Sequence, residues 1–194
     1  MRSVCVYCGS RMGVGPSYKQ AAETLGRLLA ERGITLVYGG GDVGLMGVLA
    51  DSAMAAGGTV IGVIPQALME KEVGHRAVSE LIVTHDMHQR KLTMADRADA
   101  FIALPGGIGT LEELFETFTW LQLGFHKKPI GLLDVNDYYL KLTGFLDHMV
   151  AENFLRADQL AMLHRNTDAG ALLDELAGFE APDTDRWYER SEFV

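Results

Sequence analysis

AFIALPGGIGTLEELFETFTWL, residues 100–121, is the stretch of sequence that decides the fold. It begins with the apolar run Ala100–Leu104, which is typical of a strand buried on both faces. Pro105, Gly106 and Gly107 end this strand, and a helical apolar repeat follows as far as Gly124. One side of that helix carries Leu111, Leu114, Phe115, Phe118 and Leu121. The stretch therefore predicts a strand, a glycine loop and a helix in direct succession.

The same succession recurs along the chain. Apolar runs predict strands at Ser3–Tyr7, Ile34–Tyr38, Thr59–Ile64, Leu81–Val83, Ala100–Leu104, Pro129–Val135 and near Leu160–His164. Helical patterns run from Pro16 to Gly33 and over Leu45–Ala56, Met87–Ala98, Tyr138–Val150 and Ala169–Ala177. This alternation predicts an α/β fold, a Rossmann-like doubly wound parallel sheet with helices on both faces. No repeat or linker divides the chain, so we expect one domain over residues 1–178 and a C-terminal tail over 179–194.

The composition is that of an ordinary globular protein, and it disfavours several partners. The 194 residues are 48% hydrophobic and carry a formal net charge of -9. Nucleic acids and anionic membranes attract basic surfaces, so we expect neither as the main partner. Two cysteines cannot form a disulfide framework, which fits a cytoplasmic protein. The N-terminus lacks a signal-peptide pattern, and the longest uncharged stretch, Ser52–Met69, is too broken by glycine and proline to span a membrane.

Three glycine-rich loops follow predicted strands, at Gly9–Gly15, Gly39–Gly47 and Gly106–Gly109. Such loops let main-chain N–H groups approach an anion at a helix N-terminus, although a single one can equally be a plain tight turn. Because the carboxyl ends of parallel strands share one edge of the sheet, three loops favour phosphate binding. No loop has the lysine of a P-loop. The glycines at 39, 41 and 44 satisfy GxGxxG formally, but no acidic residue for a ribose follows the next strand, so a nicotinamide cofactor is disfavoured.

Charged residues flank the third glycine loop on both sides. Arg90 and Lys91 lie on the preceding helix, where Arg90 can hold a phosphate or a sugar oxygen, although an exposed helix face is the simpler interpretation for Lys91. Glu112, Glu113 and Glu116 lie in the first turns of the following helix. They either favour the helix dipole or place one carboxylate at the ligand, and their spacing does not choose among them.

The cysteines and histidines do not predict a metal site. Cys5 and Cys8 have CxxC spacing, but positions three apart on a strand point to opposite faces of the sheet. We expect both to be small buried residues. His85 and His88 are close in sequence and have no third partner at ligand spacing.

Taken together, these motifs resemble those of the LOG (Lonely Guy) family. PGGIGTLEE at 105–113 matches PGGxGTxxE, and GGGDVGLMG at 39–47 matches GGGxxGLMG. The resemblance also rests on Cys8–Ser10, MHQRK at 87–91 and WLQLG at 120–124, and it extends over roughly Val4 to Ala177. It covers nearly the whole chain.

The resemblance implies a Rossmann-like homodimer with its sites near the interface. The implied activity is hydrolysis of the N-glycosidic bond of N6-modified adenosine 5′-monophosphate, which releases a cytokinin-type base and ribose 5-phosphate. The family's catalytic arginine falls on Arg90, and its catalytic glutamate falls on Glu113, the last position of the motif. Binding positions fall on Ser10, Gly41, Glu72, Lys91, Gly106, Gly107, Ile108, Gly109, Thr110, Leu111, Glu112 and Thr119. No metal or organic cofactor is required.

Two alternatives stay open at this point. The first is a broader AMP or purine nucleotide nucleosidase, because Asp134 and Asp137 stand where the family frequently has Asn and Gly. The second is a non-catalytic nucleotide-binding carrier or sensor, which the presence of both Arg90 and Glu113 disfavours. Family members are often labelled lysine decarboxylases, but that chemistry normally uses a pyridoxal-binding lysine, and no lysine context here singles one out.

Overall fold

The computed structural model describes residues 1–69 and 74–182 of the chain. The strands over those residues are β1 Ser3–Tyr7, β2 Thr35–Tyr38, β3 Val60–Pro65, β4 Glu80–Thr84, β5 Ala100–Ala103, β6 Ile130–Leu133 and β7 Leu163–Asn166. They form one seven-stranded sheet in the order β4-β3-β2-β1-β5-β6-β7, and every neighbouring pair is parallel. The strand order reverses at β1, whose neighbours are β2 and β5, and ligands of doubly wound sheets bind outside the carboxyl ends at such a point.

Helices cover both faces of the sheet, which confirms the predicted Rossmann-like class. They are α1 Ser17–Glu31, α2 Gly44–Ala55, α3 Gln66–Met69, α4 Met87–Asp96, α5 Ile108–Gln122, α6 Leu140–Ala151, α7 Ala157–Leu160 and α8 Ala169–Ala177. One core contains Leu25 of α1, Leu49 of α2 and Leu172 of α8. The other contains Met94 of α4 and Phe118 of α5. A strand buried between two such layers must be apolar on both sides, as the run Ala100–Ala103 is.

The last third of the chain differs in detail from the sequence-based expectation. The strand expected near Leu160–His164 is β7 at Leu163–Asn166, and the short helix α7 precedes it. Within the helix predicted over Tyr138–Val150, the apolar repeat predicts an inward Phe145, whereas that residue is 59% exposed and Leu146 is the buried residue of α6. α6 packs against the short α7 and presents only a narrow strip to the interior, so an apolar repeat overestimates its buried face.

Cys5 and Cys8 are both buried and unpaired, and they belong to the cores on opposite faces of the sheet. Burial raises the pKa of both thiols well above the usual range, so neither is a thiolate at neutral pH. This confirms the interpretation of the CxxC spacing as small core residues. Within residues 1–69 and 74–182, no helix has both the length and the apolarity that crossing a bilayer requires.

Candidate functional site

A cavity of about 330 Å³ opens at the carboxyl ends of β1, β2 and β5. The loop after β1 contributes Ser10, and Gly39 follows β2 directly. The other walls come from the start of α5 and from Arg90 on α4. This is the edge at which the glycine loops were predicted to meet.

The glycine loops pack into one unit beneath this cavity. The Gly9 N–H donates to the Pro105 carbonyl at 3.2 Å, and the Leu45 N–H donates to the Gly9 carbonyl at 3.0 Å. At Gly44 the backbone φ is +60°, and a Cβ there would lie 2.2 Å from the Ser10 carbonyl carbon. Only glycine fits that position, and it brings α2 against the loop after β1. The loops are therefore both close packing contacts and walls of the site.

The N-terminus of α5 is built to receive an anion. Gly107 is the N-cap residue, and no side chain caps the helix. The amides of Ile108, Gly109 and Thr110 lie in the first turn, where a helix leaves its N–H groups without main-chain partners and carries partial positive charge. All three residues line the cavity. A phosphate group bound here would satisfy these donors.

Arg90 lies at the base of the cavity and is only 6% exposed. Its Nε donates to the Val63 carbonyl at 3.1 Å, and its Nη2 donates to the Gly39 carbonyl at 3.1 Å. Nη1 is 3.8 Å from the Met87 sulfur and 3.8 Å from Glu113 Oε1. The guanidinium is thus fixed along one edge by main-chain oxygens, while its other edge is directed toward a carboxylate.

Glu113 is the glutamate that the geometry sets against this arginine. Its side chain is 12% exposed and lines the cavity. Glu112 also lines the cavity, but its carboxylate binds Lys91 Nζ at 2.6 Å, and Glu116 binds the same ammonium at 2.9 Å. The structure therefore separates three acids that their spacing left equivalent, and it favours Glu113 for chemistry on a ligand.

Lys91 lies outside the cavity wall and links α4 to α5. Burial opposes its charge, but the hydrogen bonds to Glu112 and Glu116 outweigh that and raise the pKa of Lys91. The ammonium is already held by two carboxylates, and its contact with substrate, which the family resemblance implies, stays a prediction.

The remaining predicted site residues are spread around the cavity. Gly106 lines a neighbouring cavity with Tyr138, while Leu111 and Thr119 line a shallow depression on the outer side of α5. Gly41 forms a bridge with Gly74, which ties the chain after α3 to the second glycine loop. Glu72 lies outside the described residues. In the part of the chain that the structure describes, no group of three or more metal-ligating side chains occurs.

Sequence reasoning missed the apolar and aromatic part of the site. Met46, Leu68 and Met87 line the cavity. Met46 and Met87 belong to the quoted motifs, which was the available signal, whereas nothing distinguishes Leu68 from other apolar residues. Also unforeseen were two tyrosines after β6: the Tyr139 hydroxyl donates to the Leu104 carbonyl at 2.6 Å, and the Tyr138 hydroxyl donates to the Gly106 carbonyl. These two hydrogen bonds hold residues 104–106, at the end of β5, in place.

Comparisons with known proteins show which family the chain is similar to. A family model described as "Possible lysine decarboxylase" matches residues 46–176. A cytokinin riboside 5′-monophosphate phosphoribohydrolase of Arabidopsis thaliana is 49% identical over 179 residues, which cover 92% of this chain and 82% of that protein. A protein of the same description from Rhodococcoides fascians is 52% identical over 155 residues, covering 79% of this chain and 78% of that protein.

A solved structure, the molybdenum cofactor binding protein of Rippkaea orientalis, superposes with a TM-score of 0.68 at 23% identity and covers 91% of this chain and 95% of that one. At that identity the likeness shows the fold alone. The family-model match spans both Arg90 and Glu113, and the identity to the phosphoribohydrolases extends over most of the chain. The chain belongs to the LOG family of cytokinin riboside 5′-monophosphate phosphoribohydrolases.

Proposed function

We propose that this protein hydrolyses the N-glycosidic bond of a nucleoside 5′-monophosphate, with N6-modified adenosine 5′-monophosphate as the substrate class. The relatives that cover most of the chain carry this activity in their names. The observation that carries the proposal is the placement of Arg90 and Glu113. Their side chains face each other at 3.8 Å in a cavity that also contains the anion-binding start of α5.

The site supplies the groups that this reaction needs. The first-turn amides of α5, with Thr110, bind the 5′-phosphate and fix the ribose between Arg90 and Glu113. As the bond from the anomeric carbon to the base nitrogen breaks, positive charge develops on the sugar. The Glu113 carboxylate stabilises that charge and accepts a proton from the water whose oxygen bonds to the anomeric carbon, while the leaving base takes up a proton from solvent. Arg90 orients the sugar phosphate and balances the negative charge around it.

The decarboxylase description is not part of this proposal. A Schiff-base lysine must lose its proton to act as a nucleophile. Lys91, the lysine within the family motifs, is bound by two carboxylates that raise its pKa. The carrier alternative gains no support from the molybdenum cofactor binding protein, because that likeness shows the fold alone, and the presence of both Arg90 and Glu113 disfavours it.

We also propose that two copies of the chain form a homodimer through α4 and α5. Leu92 on α4 is 55% exposed, Ile108 at the start of α5 is 82% exposed, and Phe125, just beyond the end of α5, is 75% exposed. The shallow depression lined by Phe115 and Trp120 lies on the same helix. An apolar surface of this kind is typical of an interface, and Ile108 places it beside the cavity.

Cytoplasmic localisation stays a prediction.

Base release is the experiment that tests the function. The purified protein is incubated with AMP and with isopentenyl-AMP, and free base is measured by chromatography. We expect release from at least one of them and an Arg90→Ala variant slower by about 10²-fold. If the wild-type protein releases neither base, the proposed activity is wrong. If Arg90→Ala keeps full activity, the role assigned to Arg90 is wrong.

A further inference from the structure

We propose that Gly39 is a positioning residue for Arg90, because the absence of a side chain at position 39 creates the space in which the guanidinium is held toward Glu113. The inference rests on the proposed function, since it assigns to Gly39 the placement of a proposed catalytic group. It gives the second glycine loop a role in the chemistry, besides its packing role.

The β2–β3 ladder opens at this position. The last paired residues of the two strands are Tyr38 and Gly62, so the next pair would be Gly39 with Val63. Their carbonyls instead accept Nη2 and Nε of Arg90, each at 3.1 Å. The guanidinium thus bridges the two strands where their own pairing ends. This fixes its plane, because two donors on one edge of a planar group leave it little freedom to rotate.

Space is the reason for glycine at this position. A Cβ on residue 39 would lie 2.2 Å from Arg90 Nη2 and 3.3 Å from the Met46 sulfur. Backbone conformation is not the reason, because Gly39 lacks the positive φ that its neighbour Gly40 has at +75°. An alanine therefore fits the backbone at position 39, and its methyl group displaces the arginine.

The displacement affects the site more than the fold. Both atoms nearest to the added methyl group belong to the ends of flexible side chains, so they can move without shifting the main chain. The moved guanidinium loses its bond to the Gly39 carbonyl and no longer holds Nη1 near Glu113. The amides of α5 are untouched, so the 5′-phosphate is still bound. We expect kcat to fall and KM to change little.

The test compares Gly39→Ala with Gly144→Ala, a matched control on α6 where an added Cβ meets nothing within 4 Å. We expect Gly39→Ala to lower kcat by about 10²-fold and Gly144→Ala to leave kcat unchanged. The double variant Gly39→Ala/Arg90→Ala should be no slower than Arg90→Ala alone, because the methyl group acts through the arginine. Wild-type kcat in Gly39→Ala, or losses that multiply in the double variant, would overturn the proposal.

A second cycle does not depend on activity. The free energy of unfolding of the same variants is measured in urea. Gly39→Ala should destabilise the protein when Arg90 is present and have no such effect when residue 90 is alanine. Equal destabilisation in both backgrounds would show a purely structural role. A wild-type protein that releases no base contradicts the proposed function, and the unfolding cycle still decides whether Gly39 positions Arg90.

Discussion

Two arginine–carboxylate pairs lie at the carboxyl edge of the sheet, and they are built in opposite ways. Arg165 donates through Nε and Nη2 to the same oxygen of Asp134, at 2.7 and 2.5 Å. Asp134 is fully buried, and its other oxygen accepts the Tyr139 N–H at 3.0 Å. Arg90 instead donates to main-chain carbonyls and stays 3.8 Å from Glu113.

The difference separates a structural pair from the pair that we propose to be the reactive one. The Arg165 guanidinium and the Asp134 carboxylate form hydrogen bonds with each other at short distance, and this pair stabilises the turn from β6 to α6 that carries Tyr138 and Tyr139. An arginine anchored to the main chain keeps an edge directed at the cavity, where substrate atoms can enter between it and the carboxylate. The first pair should therefore determine stability, and the second should determine activity.

The largest expected effect is on the reactive pair. Glu113→Gln keeps the size of the side chain and removes its charge, so kcat should fall on the order of 10²- to 10⁴-fold. The free energy of unfolding should change little. The matched control is Glu116→Gln, one turn further along α5 and outside the cavity wall, which should retain activity. Equal losses in both variants, measured as base release, would contradict the distinction between the two acids.

Asp134→Ala should show the opposite signature. It removes a fully buried carboxylate, which leaves the Tyr139 N–H without this acceptor and leaves Arg165 with the longer contact to Asp137 at 3.5 Å, and an unsatisfied buried donor costs about 1–3 kcal/mol. Urea unfolding measures the loss, and kcat per folded molecule should stay close to that of the wild-type protein. A variant of normal stability and no activity would place Asp134 in the chemistry and remove the contrast between the pairs.

Much of this arrangement could be predicted from the sequence because it is local. Ala100–Leu104 and the glycines after it form a strand, a loop and a helix from neighbouring residues. Because the strands are parallel, their carboxyl ends and the loops that follow them lie at the same edge of the sheet. The motifs are also local stretches of sequence, and the family resemblance that they carry implies the catalytic roles of Arg90 and Glu113. The polar strand β7, by contrast, lies at the sheet edge with intermediate burial and gives little apolar signal.

The rest depends on contacts between distant residues. Asp134 and Arg165 lie 31 positions apart and meet through the β6–β7 register. α4 brings Arg90 against Glu113 and Lys91 against Glu116, and the spacing of the two glutamates on α5 does not reveal this difference. The role of Gly39 is visible only once Arg90 is seen to cross from α4 to β2 and β3. The spacing of residues along the sequence does not predict these contacts.

The smallest expected effect concerns Lys91, which is intermediate between the two pairs. It binds Glu112 and Glu116 at short distance, but Glu112 is 50% exposed, so solvent screening reduces the gain, and Lys91→Met should cost about 1 kcal/mol. Because the pKa of Lys91 in the folded protein is raised above the ordinary value of 10.5, this contribution is fully present below pH 10.5 and is lost as the pH rises through the folded pKa. The stability difference between wild type and Lys91→Met, measured by urea unfolding from pH 8 upward, should therefore stay constant and then shrink.

Lys19→Met, in the exposed pair with Glu23, is the control and should show a smaller difference throughout. A Lys91→Met variant of unchanged stability with a raised KM would instead show that the ammonium serves the substrate, as the family resemblance predicts.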